Sequence, residues 1–228
     1  MRILVLGGTV FQSAEIARQA LAAGHDVTCL ARGTASAPPD GATWLRADRA
    51  QGKTAYEGAA GSGAWDAVVD VSRDPDQARE ALETLAGSAR HWTFISSCSV
   101  YADHSVAGQA EDALVLPPLA PGTELTVDNY GEAKSAIEHL TRELAGGKAH
   151  LCRAGLIGGP GDGSDRYGYW PARTRCRCGC RQATRASRPA ATPRPGPPAC
   201  APGPGRTHCG TPWRMNAAAD WAANARPG

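Results

Sequence analysis

Tyr130 and Lys134 stand four residues apart in the segment YGEAK, a spacing that on a helix puts both side chains on one face, one turn apart. A phenol with a pKa near ~10 exchanges protons poorly at neutral pH. A neighbouring ammonium favours the phenolate and lowers that pKa, so the pair suits general acid/base work, and the lysine can also reach ribose hydroxyls. The same spacing describes many solvated helical pairs. A second suggestive stretch is the turn Gly7-Gly8-Thr9-Val10-Phe11-Gln12-Ser13. Between a strand and a helix, its backbone N–H groups and the helix dipole can hold a pyrophosphate. A glycine-rich corner without a ligand is the alternative.

The elements that must position these groups are legible from apolar periodicity. Met1–Leu6 is a continuous apolar run of the kind a strand buried on both faces requires. Phe11–Ala23 reads as a helix with Ala14, Ala17 and Leu21 inward, stopped by Gly24, and Val27–Ala31 as a second strand. Further strands are expected at Ala42–Arg46, Trp65–Val71, His91–Ser96 and Ala149–Arg153. Asp74-Pro75 should cap a helix carrying Ala78, Leu82 and Leu85 inward, with Gly87 ending it. A last helix is expected over Val127–Ala145, with Ala133, Ile137, Leu140 and Leu144 on one stripe, closed by Gly146-Gly147. This alternation predicts an α/β fold, a doubly wound parallel sheet with right-handed crossovers, whose ligands bind at the carboxyl ends of the strands.

In such sheets an acidic residue after the second strand hydrogen-bonds the ribose 2′-hydroxyl of NAD. Here Ala31-Arg32 occupies that place, and Arg32 offers a charge-assisted partner for a 2′-phosphate. That favours NADP, with NAD the alternative cofactor and a solvent-exposed loop arginine the bland reading.

Together these segments resemble the extended short-chain dehydrogenase/reductase family, also called the NAD-dependent epimerase/dehydratase family, over residues 1–172. The family's turn reads G-x-x-G-x-x-G; of its glycines only Gly7 is kept, Val10 and Ser13 standing at the other two. The resemblance implies a Rossmann domain whose turn (Gly7, Gly8, Thr9, Val10 and Phe11) binds the dinucleotide. It implies that Asp48 contacts the adenine amino group and that Lys134 holds the ribose. The segment FISSCSVY, Phe94–Tyr101, is similar to the family stretch that supplies a hydroxyl at Ser97, so the implied catalytic set is Ser97, Tyr130 and Lys134. Ser97 would orient a substrate carbonyl oxygen; its plainer reading is a turn serine capping backbone. Gly159-Pro160 and Asp165-Arg166 are implied to lie beside the nicotinamide and the substrate. The activity implied is hydride transfer at a carbinol or carbonyl carbon of a small molecule. A non-catalytic nucleotide- or RNA-binding module is the alternative.

Composition bounds the rest. A chain of 228 residues, 42% hydrophobic and 6% aromatic, can bury one sizeable core. The net charge of +2 hides an asymmetry: residues 1–170 hold 14 basic and 21 acidic side chains, and residues 171–228 hold ten arginines and one acid, Asp220. Residues 171–228 contain no Val, Ile, Leu, Phe or Tyr, so residues 173–228 are expected to form a largely disordered tail. Cys176, Cys178 and Cys180 are spaced too tightly for an ordinary zinc knuckle, so no metal is expected. A basic arm for nucleic acid is conceivable, but the small net charge argues against it as a main partner. Arg, Ala, Pro, Gly and Cys rising together is what GC-rich DNA yields out of frame, which suggests truncation by a frameshift near residue 173. The alternate frame should then encode apolar strand and helix patterns, and their absence would sink the idea.

No run of roughly 18 apolar residues exists, so no membrane span and a cytoplasmic location are expected. Cys29, Cys98 and Cys152 sit singly in apolar runs and read as buried thiols. A homo-oligomer is compatible with the sequence.

Overall fold

A computed structural model describes residues 1–105, 108–159 and 162. Six strands, β1 (Arg2–Leu6), β2 (Asp26–Ala31), β3 (Thr43–Arg46), β4 (Ala67–Asp70), β5 (Trp92–Ser97) and β6 (Ala149–Ala154), form one all-parallel sheet in the order β3-β2-β1-β4-β5-β6. The chain builds outward from β1 to β3, then returns to place β4 on the other side of β1. The crevice between β1 and β4 is therefore the topological switch point where ligands of open α/β sheets bind. The doubly wound sheet expected from the sequence is the one observed.

Parallel strands need crossovers, and the helices supply them. The longer helices are α1 (Phe11–Ala22), α3 (Pro75–Leu85) and α4 (Tyr130–Ala145), with a short α2 (Glu57–Gly61) between β3 and β4. A core of Leu4, Leu6, Trp65, Leu82, Trp92 and Ile137 ties α3 and α4 to the sheet. Asp74 caps α3 as its sequence implies, with Pro75 in the first turn and the carboxylate accepting the Asp76 and Gln77 amides. Between β3 and α2, where the sequence points to no element, a 3-10 segment, Arg49–Tyr56, forms across a kink at Gly52. Its buried residues, Ala55 and Tyr56, are too few and too close to show a period.

Other departures have local causes. α4 begins at Tyr130, because Asn129 holds the preceding loop: its Oδ1 accepts from Thr126 N–H at 2.8 Å and its Nδ2 donates to the Glu124 carbonyl. Val127 is consequently exposed. Leu144 is exposed, and Ala14 and Leu21 are half-buried rather than core; Ser13 and Ala17 are the buried residues of α1. Of the three thiols only Cys29 is buried, where burial pushes it up to about 11. Cys98 lies in a turn beyond β5 and Cys152 on the edge strand β6, so both are half-buried. The expected boundary at residue 173, the tail, and Pro160, Asp165, Arg166, Cys176, Cys178 and Cys180 lie outside the described residues.

Candidate functional site

The turn leaving β1 is shaped by two glycines in the left-handed region, Gly7 (φ 131°) and Gly8 (φ 93°). A Cβ on Gly8 would stand 2.4 Å from Cys29 Sγ, so the turn lies directly against β2, pinned by the Gly7 N–H to Leu30 carbonyl bond of 2.9 Å. Phe11 opens α1 at φ 33°, the only non-glycine among the described residues with positive φ. No side chain caps α1; the Ser13 and Ala14 amides both reach the Val10 carbonyl. Ser13, at the third glycine position of the resemblance, is accommodated because its hydroxyl folds back onto the same carbonyl at 2.9 Å. Val10, at the second, points outward and is 56% exposed.

Beside this turn is a cleft of about 230 Å³, lined by Gly7, Thr9, Val10, Arg32, Asp48 and Arg49 among others. Thr9 also takes part through its carbonyl, which accepts the Ser36 hydroxyl and ties the loop after β2 to the turn. Arg32 Nε lies 3.8 Å from Asp48 Oδ1, both side chains partly exposed. Asp48 accepts the Ala50 amide at 3.0 Å as well, so it serves as a cap while facing the cleft. The Gly7, Gly8, Thr9, Val10, Phe11, Arg32 and Asp48 set is thus brought to one end of the sheet.

The second group gathers at the carboxyl end of β5. Ser97 is the last residue of that strand; its Oγ donates to Ser99 Oγ at 3.0 Å and accepts the Ser99 amide, so the turn-capping role is real. Gly131 packs against that turn: a Cβ there would be 2.4 Å from the Ser99 carbonyl. That close approach brings Tyr130, the first residue of α4, beside the turn that follows Ser97. Lys134 Nζ is 5.9 Å from the Tyr130 ring centroid and 4.6 Å from that of Phe94. It donates to the carbonyls of Ser72 (2.7 Å) and Ile95 (2.8 Å), leaving one of the three ammonium N–H bonds for a further acceptor. Burial pulls Lys134 down to about 8, opposed chiefly by Asp70 and assisted by Arg73.

Three residues here escaped the sequence reading of the site. Asp70 closes β4, fully buried, with Oδ1 taking the Ser72 amide and hydroxyl and lying 3.4 Å from Arg49 Nη2. Arg73 stands over the Tyr130 ring at 5.5 Å. The signal for Asp70 was present: an acid inside the apolar run Ala67-Val68-Val69-Asp70-Val71 is placed where no solvent reaches it. Deeper in α4, Glu138 is buried and gathers Ser96 Oγ (2.7 Å) and both arms of Arg153 (2.9 and 2.8 Å). Burial alone would raise the Glu138 carboxyl; hydrogen bonds from Arg153 and Ser96, and the charges of Arg153 and Arg142, hold it below the usual range.

No family model matches the chain, and no curated protein matches it. Solved structures do. A UDP-galactose 4-epimerase is 20% identical with a TM-score of 0.59, the match covering 77% of this chain and 63% of that one. The NAD-dependent NDP-hexosamine 5,6-dehydratase TunA, of tunicamycin biosynthesis, is 18% identical (TM-score 0.56; 71% and 57% covered). MoeE5, solved with UDP-glucose and NAD, is 19% identical (TM-score 0.53; 73% and 58%). The chain thus has the Rossmann-like fold of these proteins and spans less than two thirds of their length. Among its described residues no helix is long and apolar enough to cross a membrane.

Proposed function

We propose that the chain is an NADP-dependent oxidoreductase or epimerase-type enzyme of the extended short-chain dehydrogenase/reductase family, acting on a carbinol or carbonyl carbon of a small molecule. The observation that carries this is Lys134, dry beneath the Tyr130 ring and held by two backbone carbonyls at the carboxyl ends of adjoining strands. A solvated helical lysine has no reason to be placed so.

The residues fit a dinucleotide. Gly7 and Gly8 let the turn lie close to β2, and the uncapped start of α1 offers backbone amides to a pyrophosphate. Asp48 would meet the adenine, and Arg32, standing after β2 where an acid would bind the ribose of NAD, the 2′-phosphate. Bound there, the nicotinamide would supply or accept a hydride. Tyr130 would give its phenolic proton to the substrate oxygen in the reducing direction and take it back in the oxidising one. The Lys134 ammonium stands 5.9 Å from the Tyr130 ring centroid and has one N–H for a ribose hydroxyl. Ser97 would turn its Oγ from Ser99 to the substrate oxygen and orient it. MoeE5 holds a nucleotide sugar, so a sugar-linked carbinol is the first substrate class to try. The setting we infer is the cytoplasm.

Fluorescence titration with NADPH and NADH tests the reading, alongside Tyr130→Phe. NADPH should bind more tightly than NADH, and Tyr130→Phe should bind it while losing turnover. Failure of both dinucleotides to bind would leave the Rossmann fold without this function and return the RNA- or nucleotide-binding module to first place.

A further inference from the structure

A charge sits at the switch point that the reaction above does not use. Asp70 ends β4 with no solvent exposure, and its Oδ2 is buried without a hydrogen-bond partner among the described residues. Leaving a buried carboxylate oxygen without a partner is costly even when the other oxygen is engaged, so a compensating role is to be sought nearby. Ser72 shows where. Its amide and hydroxyl face Asp70 Oδ1, and its carbonyl accepts from Lys134 Nζ at 2.7 Å. Arg49 closes the group from the nucleotide cleft that it lines, with Nη2 donating to Ser72 Oγ at 2.5 Å and Nε to the Tyr56 hydroxyl at 3.0 Å.

We propose that Asp70 is a positioning residue for Lys134: through Ser72 it fixes the carbonyl that holds the ammonium, and its negative charge keeps that ammonium protonated where water is excluded. This rests on the reading of Lys134 as the partner of Tyr130. The charged and titratable groups facing Lys134 are Asp70 from β4, Arg73 from the loop after it, and Tyr130 and Glu138 from α4 itself. Arg73 opposes protonation. Glu138 favours it less than Asp70 does, its carboxylate being engaged by Arg153, Arg142 and Ser96, whereas Asp70 has one arginine, Arg49, at 3.4 Å. Asp70 is the carboxylate joined to the lysine's own acceptor.

The chain has three lysines, Lys53, Lys134 and Lys148, so lysine labelled with ¹³C at Cε gives a spectrum in which Lys134 is assigned by loss of its signal in Lys134→Met. Titrating the free, full-length protein reads the Lys134 midpoint without any dinucleotide. Asp70→Asn should move that midpoint to lower pH by about one unit or more, the usual effect of removing a close opposite charge. Arg73→Gln should move it upward. Should Asn at 70 not fold, Asp70→Ser removes the same charge from a smaller side chain and carries the same expectation. A midpoint unchanged in a folded Asp70 variant overturns the proposal, even if NADPH binds and turnover is normal. A midpoint that falls while NADPH fails to bind supports the counter-charge and sinks the hydride reading alone.

Discussion

The two ends of the crevice differ in what they do with charge. At the end beside β2 and β3, Arg32 and Asp48 meet at 3.8 Å with much of each side chain in water, a geometry in which an ion pair is worth roughly 0–1 kcal/mol and salt screens it. At the other end Lys134 is 3% exposed, with its ammonium wedged between two carbonyls and a phenyl ring. The first arrangement can open to admit a ligand at little cost. The second cannot be rearranged cheaply, so it belongs to groups whose positions are fixed before substrate arrives. Where the open end parts from the glycine pattern of the resemblance, the two side chains are met differently: Val10 stands in solvent, and Ser13, buried, turns its hydroxyl onto the Val10 carbonyl.

The largest effects should come from the dry end. Lys134→Met should lower turnover by about 10²–10⁴, the range for losing a positioned acid/base group, read as kcat with NADPH still measurable in titration. Its effect on stability should have the opposite sign. The Lys134 pKa falls on folding from 10.5 to about 8, so at neutral pH the folded state pays to keep the proton that the unfolded chain holds freely. Between about pH 8 and 10.5 the unfolded chain binds more protons and stability contributed by this group rises with pH. Lys134→Met should therefore stabilise the fold at pH 7, and that advantage over the parent should fade by pH 10.5 in urea titrations. A variant less stable at pH 7 would show that the lysine's hydrogen bonds outweigh its burial.

Glu138 sharpens the contrast from the same helix. Replacing it by Ala leaves Arg153 and Ser96 without their partner, and breaking a buried pair from one side costs about 3–5 kcal/mol. Asp48→Asn at the open end should cost under about 1 kcal/mol. Equal losses in chemical denaturation would erase the distinction between the two ends. The Glu138 carboxyl is held below its usual range, so its contribution is present above the unfolded value and is lost as pH falls through the folded one. Acid should weaken the parent more than Glu138→Gln.

What the sequence made legible follows the same division. The strands could be read because a sheet buried on both faces demands continuous apolar runs, and the order of elements then forced the doubly wound topology. Tyr130 and Lys134 could be paired because helical spacing is local; Ser97 was legible only through the resemblance carried by Phe94–Tyr101. Asp70, Ser72 and Arg49 meet only when β4 comes to lie beside β1 and the segment after β3 folds back over it. No spacing in the chain encodes that meeting. The start of α4 lies three residues beyond the expected Val127 for a related reason: Asn129 uses its side chain to hold the loop, and side-chain competition with the backbone leaves no periodic trace.

The smallest effects should lie at the turn itself. Val10 has ordinary extended dihedrals, φ −133° and ψ 133°, so glycine is not required there for backbone conformation. Its only conceivable obstruction is the side chain, which stands exposed on the wall of the cleft. Val10→Gly should therefore tighten NADPH binding by a few-fold, while loosening the fold by about 0.5–1 kcal/mol through unfolded-chain entropy. Arg32→Ala should reduce the preference for NADPH over NADH and leave NADH affinity nearly unchanged, because an exposed arginine contributes to a 2′-phosphate and little else. If Val10→Gly weakens binding instead, the valine packs on the ligand rather than standing in its way, and the departure from the glycine pattern is an adaptation of this turn and not a loss.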